Sequence, residues 1–277
     1  MAGHTHLRGA SRVSRSGFYA RTARGPSGRA RRDEALSQEI RKSFLDSDRT
    51  YGARRVWRDV LVAGFDCGLH AVERLVQANA LKARPRRRRL PSDTGNRPAA
   101  GLAANILDRQ FNAAGPNKKW VADFTCIWTA EGWLYVAVVL DLFSRRIVGW
   151  SMQAQMTADL VADALMMALW RRGRPRDLLH HSVRGTQYTS EQCQSLMTEQ
   201  GVTCSLSRSG NVWDNAAMES FFSTLKTERT ACKIYQSRDA ARADVFDYFE
   251  RFYNLRRRHS TLGYISPVDF EAKMRLA

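Results

Sequence analysis

Lys119-Trp-Val-Ala-Asp-Phe-Thr-Cys-Ile127, Gly132-Trp-Leu-Tyr-Val-Ala-Val-Val-Leu-Asp-Leu142 and Arg146-Ile-Val-Gly-Trp-Ser-Met152 follow one another with only short polar breaks, at Thr129 to Gly132 and Phe143 to Arg145. β-Branched and aromatic residues separated by turn residues predict three strands joined by two hairpins. The middle segment is apolar at successive positions, so it reads as a central strand covered on both faces. Thr157 to Arg171 then changes period. Leu160, Val161, Ala164, Leu165, Ala168 and Leu169 recur at helical spacing behind a Thr157 cap, which predicts an amphipathic helix. A fourth strand over Asp177 to Val183, a helix over 190–200, a short strand from Val202 to Ser205 and a helix over 214–229 complete the order.

Three antiparallel strands, a crossover helix, a parallel strand, a helix, a strand and a helix is the order of a ribonuclease-H-like α/β fold with a mixed five-stranded sheet and flanking helices. On that order Asp123 lies midway along the first strand, residue 183 ends the fourth beside it, and Glu219 comes from the last helix of the core. Asn215, Glu219, Phe222, Ser223 and Lys226 share one face of that helix, whereas Met218, Phe221, Phe222 and Leu225 form its buried set. Most single acids are solvated surface groups. Asp123 differs because Val121, Ala122 and Phe124 flank it in a strand that reads as buried, where an unpaired acid is costly without a ligand or partner.

The chain of 277 residues is 44% hydrophobic, enough for a sizeable core and for two domains. Its formal charge of +17 is unevenly placed: residues 1–100 hold 22 Lys and Arg against 9 Asp and Glu, and residues 101–277 hold 22 against 18. The front third therefore reads as a polyanion binder. A membrane is excluded as partner, since the longest apolar run, Leu134 to Leu140, is far short of the roughly twenty residues that span a bilayer. No signal peptide is evident, which predicts a cytoplasmic, DNA-associated location. Five cysteines without close pairing read as reduced packing residues.

Residues 1–31 read as a flexible basic lead-in and 32–83 as a small helical unit of the helix-turn-helix kind. Its apolar stripes are Leu36, Ile40 and Phe44, then Val56, Val60 and Leu61, then Leu69, Val72, Leu75 and Val76. Arg54, Arg55 and Arg58 on this unit, with Arg86, Arg87, Arg88 and Arg89 just after it, are the expected DNA-phosphate contacts. Residues 84–115 read as a basic linker, 116–232 as the catalytic core and 233–277 as a C-terminal helix and tail.

These segments carry a resemblance. The chain resembles the downstream-frame transposase of the bacterial IS-three insertion-sequence family over nearly its full length. The matching stretches are Tyr51-Gly-Ala-Arg-Arg-Val, Trp120-Val-Ala-Asp-Phe-Thr, Asp141-Leu-Phe-Ser-Arg-Arg-Ile-Val-Gly-Trp, His180-His-Ser-Val-Arg-Gly-Thr-Gln-Tyr-Thr-Ser, Gly210-Asn-Val-Trp-Asp-Asn-Ala-Ala-Met-Glu-Ser-Phe and Tyr253-Asn-Leu-Arg-Arg-Arg-His-Ser-Thr-Leu-Gly-Tyr. Together they are specific; any one alone is weak. The resemblance implies an integrase core of the Asp-Asp-Glu type that cuts and rejoins double-stranded DNA at terminal inverted repeats and in a target. Three such carboxylates hold two Mg²⁺ or Mn²⁺ ions, one at the attacking and one at the leaving oxygen. Asp123 and Glu219 carry over as catalytic and metal-binding residues. The family pattern His-Ser-Asp-x-Gly reads His181-Ser-Val-Arg-Gly here, so Val183, which cannot bind a metal, stands at the degenerate second position. The expectation is a DNA-binding protein impaired in cleavage. The alternative is an inactive relic that competes for element ends. A structure-selective nuclease would share the carboxylates without calling for the helical front unit or the tail. The resemblance further implies a homo-oligomer on DNA and an upstream-frame protein as partner.

Other residues divide more plainly. His180 and His181 read as one packed and one exposed side chain, Asp141 as a turn cap, and Asp214 as the N-cap of the Glu219 helix. Lys226, two turns after Glu219 on its face, is a candidate phosphate contact. The helix over 238–254 should bury Val245, Phe249 and Phe252, with Arg256 to Arg258 adding charge beside the core. No tyrosine-recombinase chemistry is indicated, because Leu262 stands where His259 would need an arginine three residues on.

Overall fold

The computed structural model describes Tyr19 and residues 25–84, 103–209, 211–231 and 233–276. It divides into two compact units, Met1–Ala83 and Arg84–Ala277.

In the first unit, α1 (Gly28–Asp46), α2 (Ala53–Val62) and α3 (Leu69–Ala78) pack around Leu36, Ile40, Phe44, Val56, Val60, Val72 and Leu75. Helix α1 starts earlier than expected, inside the stretch read as a flexible lead-in. Ser27 caps it by accepting from the Ala30 N–H at 3.1 Å, so the following Arg-rich residues extend the helix rather than precede it. Leu61, expected inward, is exposed, and Leu69 and Val76 are half-buried, because short helices around so small a core cover only a narrow stripe. Polar ties complete the unit. Arg74 donates twice to Asp33 at 2.8 Å, joining α3 to α1, and the Ser43 hydroxyl donates to Asp59 at 2.6 Å, joining α1 to α2. Arg54 and Arg58 are exposed on α2; the Arg58 guanidinium lies 4.7 Å from the Trp57 ring centroid and that of Arg55 lies 5.3 Å from Tyr51. Arg86 to Arg89 lie outside the described residues.

The second unit is built on a five-stranded sheet in the order β3-β2-β1-β4-β5. Strands β1 (Lys119–Thr129), β2 (Gly132–Asp141) and β3 (Ile147–Gln153) are antiparallel neighbours, and β4 (Leu179–Ser182) and β5 (Thr203–Leu206) add in parallel. One face packs α4 (Ala158–Arg171) and α5 (Glu191–Glu199) on Trp120, Ala122, Ala137 and Val139. The other packs α6 (Ala216–Leu225) and α7 (Arg238–Asp247) on Val121, Val136, Val138 and Leu140. Alternate residues of β2 thus enter two different cores, which accounts for its unbroken apolar run. Thr157 does not cap α4 with its side chain; its hydroxyl turns back to Gln153 at 3.2 Å.

Three boundaries differ from the sequence reading. Strand β4 is only four residues long, because Asp177 sits at φ 55° in the turn before it and Val183 follows the last sheet pair. The stretch read as linker joins the core at its end: Leu107 is buried, and the Ile106 and Leu107 N–H groups donate to the Ser205 hydroxyl at 2.9 and 3.1 Å. The helices expected over 214–229 and 238–254 each change pitch. A 3₁₀ turn (Val212–Asn215) precedes α6, and π turns (Lys226–Thr230 and Tyr248–Tyr253) follow α6 and α7.

The tail closes the second unit through polar contacts. Asn254 exchanges two hydrogen bonds with the Ile147 backbone on β3. Glu271, on α8 (Pro267–Arg275), accepts from Arg172, Arg146 and Ser144. Arg257 is buried and forks onto Glu228 at 2.7 Å through both contacts, so this arginine is neutralised inside the core rather than adding free charge beside it. Phe252 is only half-buried; Tyr248 and Tyr253 join Val245 and Phe249 as the buried residues.

Gly149 on β3 sets the spacing of the sheet and α4. A Cβ there would lie 2.2 Å from the Ala164 carbonyl oxygen and 2.7 Å from Ala168 Cβ. Gly149→Ala is expected to cost at least about 3 kcal/mol, since helix backbone must move to admit the methyl group; denaturant unfolding of the pure protein measures it, and an unchanged midpoint would contradict the close approach.

Candidate active site

Strand β1 pairs with β4 from Lys119↔Leu179 to Ala122↔Ser182, where the parallel ladder ends. Asp123 is the next residue of β1, and Val183 is the first residue after β4, so both directly follow the last pair of the ladder. Mid-strand burial of a carboxylate would be intolerable in a sheet closed on both sides, but here the neighbouring strand stops and opens the edge. Asp123 is half-buried and accepts from the Phe124 N–H at 2.8 Å. Glu219, in the first turn of α6, is also half-buried. Met218, Phe221, Phe222 and Leu225 anchor the opposite side of α6 in the core, as their spacing predicts.

The charge of one acid acts on the other. Burial is the main cause that pushes the Asp123 carboxyl up to about 7; the Glu219 charge adds to this, while the Phe124 N–H and Lys226 oppose it. Burial also raises Glu219. Lys226 follows α6 directly, near enough to act on Asp123. Tyr188 is buried with its ring stacked 6.4 Å from Phe124; burial, and then the Asp123 charge, raise its hydroxyl pKa.

Val183 brings no polar atom to this group. It is half-buried against the apolar cluster on the α4 and α5 side of the sheet. On and just after β4, and at the residue before α6, several buried polar atoms lack hydrogen-bond partners: both ring nitrogens of His180, the Ser182 hydroxyl, Arg184 Nε and Asn215 Oδ1. Asp177 offers no substitute, because it is exposed and pairs with Lys118 at 3.8 Å. Among the described residues no group of three or more His, Cys, Asp or Glu side chains is gathered to hold a metal. One divalent cation between Asp123 and Glu219 fits the donors present, since it would relieve the burial and mutual repulsion of two carboxylates. A second ion sharing an acid at 183 does not fit.

Both histidines of β4 are buried, contrary to the expected packed and exposed pair, because both faces of the strand are covered: His180 lies beside Tyr188, and His181 meets the Ser205 and Ser207 hydroxyls. The Ser205 hydroxyl already accepts two N–H groups, so its own proton goes to His181 Nδ1 at 2.9 Å; His181 Nε2–H then donates to the Ser207 hydroxyl at 3.1 Å. His181 is thereby held neutral, in keeping with a pKa lowered to about 4 by burial.

Asp214 is not the N-cap of α6. It lies in the 3₁₀ turn, fully buried, and accepts from Asn105, Arg109 and both the backbone and guanidinium of Arg208 at 2.7 to 2.9 Å. The arginines hold its carboxyl well below the usual range despite burial. Sequence reading missed this because Arg208 and Arg109 are exposed basic residues of ordinary appearance until the fold brings them to one acid. Asp141 does behave as a turn cap, accepting from the Phe143 and Ser144 N–H groups and also from Asn117 and Trp120.

The sequence of the transposase InsF of insertion sequence IS3A from Escherichia coli K12 is 41% identical over 266 residues, covering 95% of this chain and 91% of that one. The chain belongs to the IS3 family of insertion-sequence transposases. A 31 kDa protein of insertion element IS600 from Shigella sonnei is 39% identical over 94% of this chain and 96% of its own length. Family profiles described as an integrase core domain match residues 113–212 and 200–267, and one described as an HTH-like domain matches 31–89. Among solved structures, a chain of the simian T-cell lymphotropic virus intasome aligns with 79% of this chain and 71% of its own at 14% identity and a TM-score of 0.47.

In this IS3 transposase the integrase core carries its candidate acids at the end of the β1 and β4 ladder. Their titration should be visible in stability. A carboxyl raised from 3.8 to about 7 on folding favours the folded state fully below the unfolded value and loses that contribution as pH rises through 7. Metal-free protein should therefore lose stability between pH 4 and 7, and Asp123→Asn should raise the melting temperature at pH 8 but not at pH 4. Melting curves across that range, with and without Mn²⁺, test this; equal melting curves for parent and variant at pH 8 would contradict it.

Proposed function

We propose that this transposase uses Asp123 and Glu219 as the surviving carboxylates of an Asp-Asp-Glu polynucleotidyl transferase, and that Val183 occupies the place of the second Asp. The observation that supports this reading is the end of the β1 and β4 ladder at Ala122↔Ser182, after which Asp123 and Val183 are the next residues of the two segments. This copy then binds the terminal inverted repeats of its element but cuts and joins DNA weakly at best. A chain that occupies ends without cutting them competes with intact copies, and Val183 is the feature that favours this second role.

Asp123 and Glu219 would hold Mg²⁺ or Mn²⁺. When bound, the metal supplies charge neutralisation and polarisation of a phosphodiester, so that water attack cleaves an end and 3′-hydroxyl attack joins it to target DNA. The residues of the chain supply position. Glu219 is carried on a helix anchored by four core side chains, and Lys226 adds positive charge for a DNA phosphate beside the acids. An intact family site would take two ions; without an acid at 183, one is retained.

The helical front unit would carry end recognition, with Arg54, Arg55 and Arg58 on α2 and Arg86 to Arg89 beyond it as phosphate contacts. Residues 32–83, 116–232 and 233–277 act in this reading as DNA-binding unit, catalytic core and closing tail. Partners are double-stranded DNA, further copies of the chain on that DNA, and the upstream-frame protein.

Parent and Val183→Asp proteins, assayed on labelled DNA bearing the element's own ends in Mg²⁺ or Mn²⁺, test the catalytic half. Both should bind, and only Val183→Asp should cleave and join; efficient strand transfer by the parent would overturn the assignment of position 183. For the binding half, Arg54→Ala and Arg58→Ala should each weaken binding to all sequences alike and lower the slope of log affinity against log salt by about one per lost contact. Salt titrations by anisotropy read this, and slopes unchanged in both variants would remove α2 from the DNA surface.

A further inference from the structure

Asn215 immediately precedes α6, where a side-chain oxygen ordinarily accepts from the free N–H groups of its own helix. It makes no such bond. Its Nδ2 instead donates to the Ala122 carbonyl of β1 at 3.3 Å, while its Oδ1, in a residue 2% exposed, has no hydrogen-bond partner. Chemistry fixes the amide in this orientation, because the flipped form would set Oδ1 against the Ala122 oxygen, acceptor against acceptor. The helix thus forgoes a cap and buries a naked acceptor, two unfavourable features at one residue.

The surroundings say what would complete it. Asn215 lies one turn before Glu219 on the same helical face, and the carbonyl that anchors it belongs to the residue before Asp123. A lone acceptor on the helix face of one carboxylate, tied to the strand next to another, has no use for a further anion; it suits a hard cation, which takes amide and carboxylate oxygens alike. We propose that Asn215 Oδ1 is the third oxygen ligand of a single divalent cation held with Asp123 and Glu219. The amide is locked by its other atom before the cation arrives, so the site is organised in advance. This rests on the reading of Asp123 and Glu219 as metal-binding carboxylates, and it gives a chain with valine at 183 a complete three-oxygen site for one ion.

The test is Mn²⁺ binding to the full chain without DNA, read from the electron paramagnetic resonance signal of free Mn²⁺, beside melting curves in chelator. Asn215→Ala should weaken Mn²⁺ binding roughly tenfold, beside whatever the lost Nδ2 bond to the Ala122 carbonyl costs the metal-free melting temperature. A merely structural asparagine would lower the metal-free melting temperature but leave the Mn²⁺ affinity alone. Asn215→Asp should bind Mn²⁺ more tightly than the parent, a gain that poor folding cannot imitate. If Asp123→Asn and Glu219→Gln lose Mn²⁺ but both Asn215 variants bind like the parent, the role of Asn215 is overturned and the two-carboxylate reading stands. If none of the four variants changes Mn²⁺ binding, both fall.

Discussion

The parallel pairing of β1 with β4 is the constraint on which the rest of the second unit depends. It joins segments more than fifty residues apart and requires the α4 crossover between them. Its length matters as much as its presence. Because the ladder stops at Ala122↔Ser182, the next residue of β1 faces an open edge rather than a closed sheet, and that residue is Asp123. A longer β4 would seal the carboxylate in; a shorter one would leave it in bulk water, where its pKa would not be raised.

Partnership separates the buried acids of the core into two kinds. Asp214, Glu228 and Glu271 each take arginine donors, and each ties a distant segment to the sheet or its helices: the 105–109 stretch, the turn around Arg257, and the crossover end at Arg172. Asp141 has no arginine bond, yet its oxygens are filled by backbone and indole N–H groups. Such satisfied groups stabilise chain geometry at a burial cost that their donors offset. Asp123 and Glu219 lack that compensation, and Asn215 Oδ1 beside them lacks it too. Uncompensated polar atoms gathered at one end of a strand ladder are what a ligand site looks like without its ligand.

Much of this was legible in the sequence because strands and helices write different periods. The doubly apolar run from Leu134 to Leu140, the helical spacing from Leu160 to Leu169 and the Met218, Phe221, Phe222 and Leu225 set all entered the cores they pointed to. Boundaries were less legible. Ser27 and the arginines after it read as a tail, although a serine cap and long exposed side chains also make a helix start. His180 and His181 read as an inside and an outside residue, since strand alternation says nothing about whether both faces of the sheet are covered.

By itself the sequence determined the order of elements, the placing of acids on a strand and a helix, the concentration of positive charge in the front third, and the absence of an acid at position 183. These follow from local spacing and side-chain chemistry, which no packing can alter. Only the tertiary structure decided that Asp123 and Val183 directly follow the last pair of the β1 and β4 ladder, that Asp214 belongs to arginines rather than to a helix start, and that Asn215 turns from its own helix to the strand beside the acids. Each of those depends on segments far apart in the chain meeting at hydrogen-bond distance, and residue spacing within one segment carries no record of which distant group will arrive.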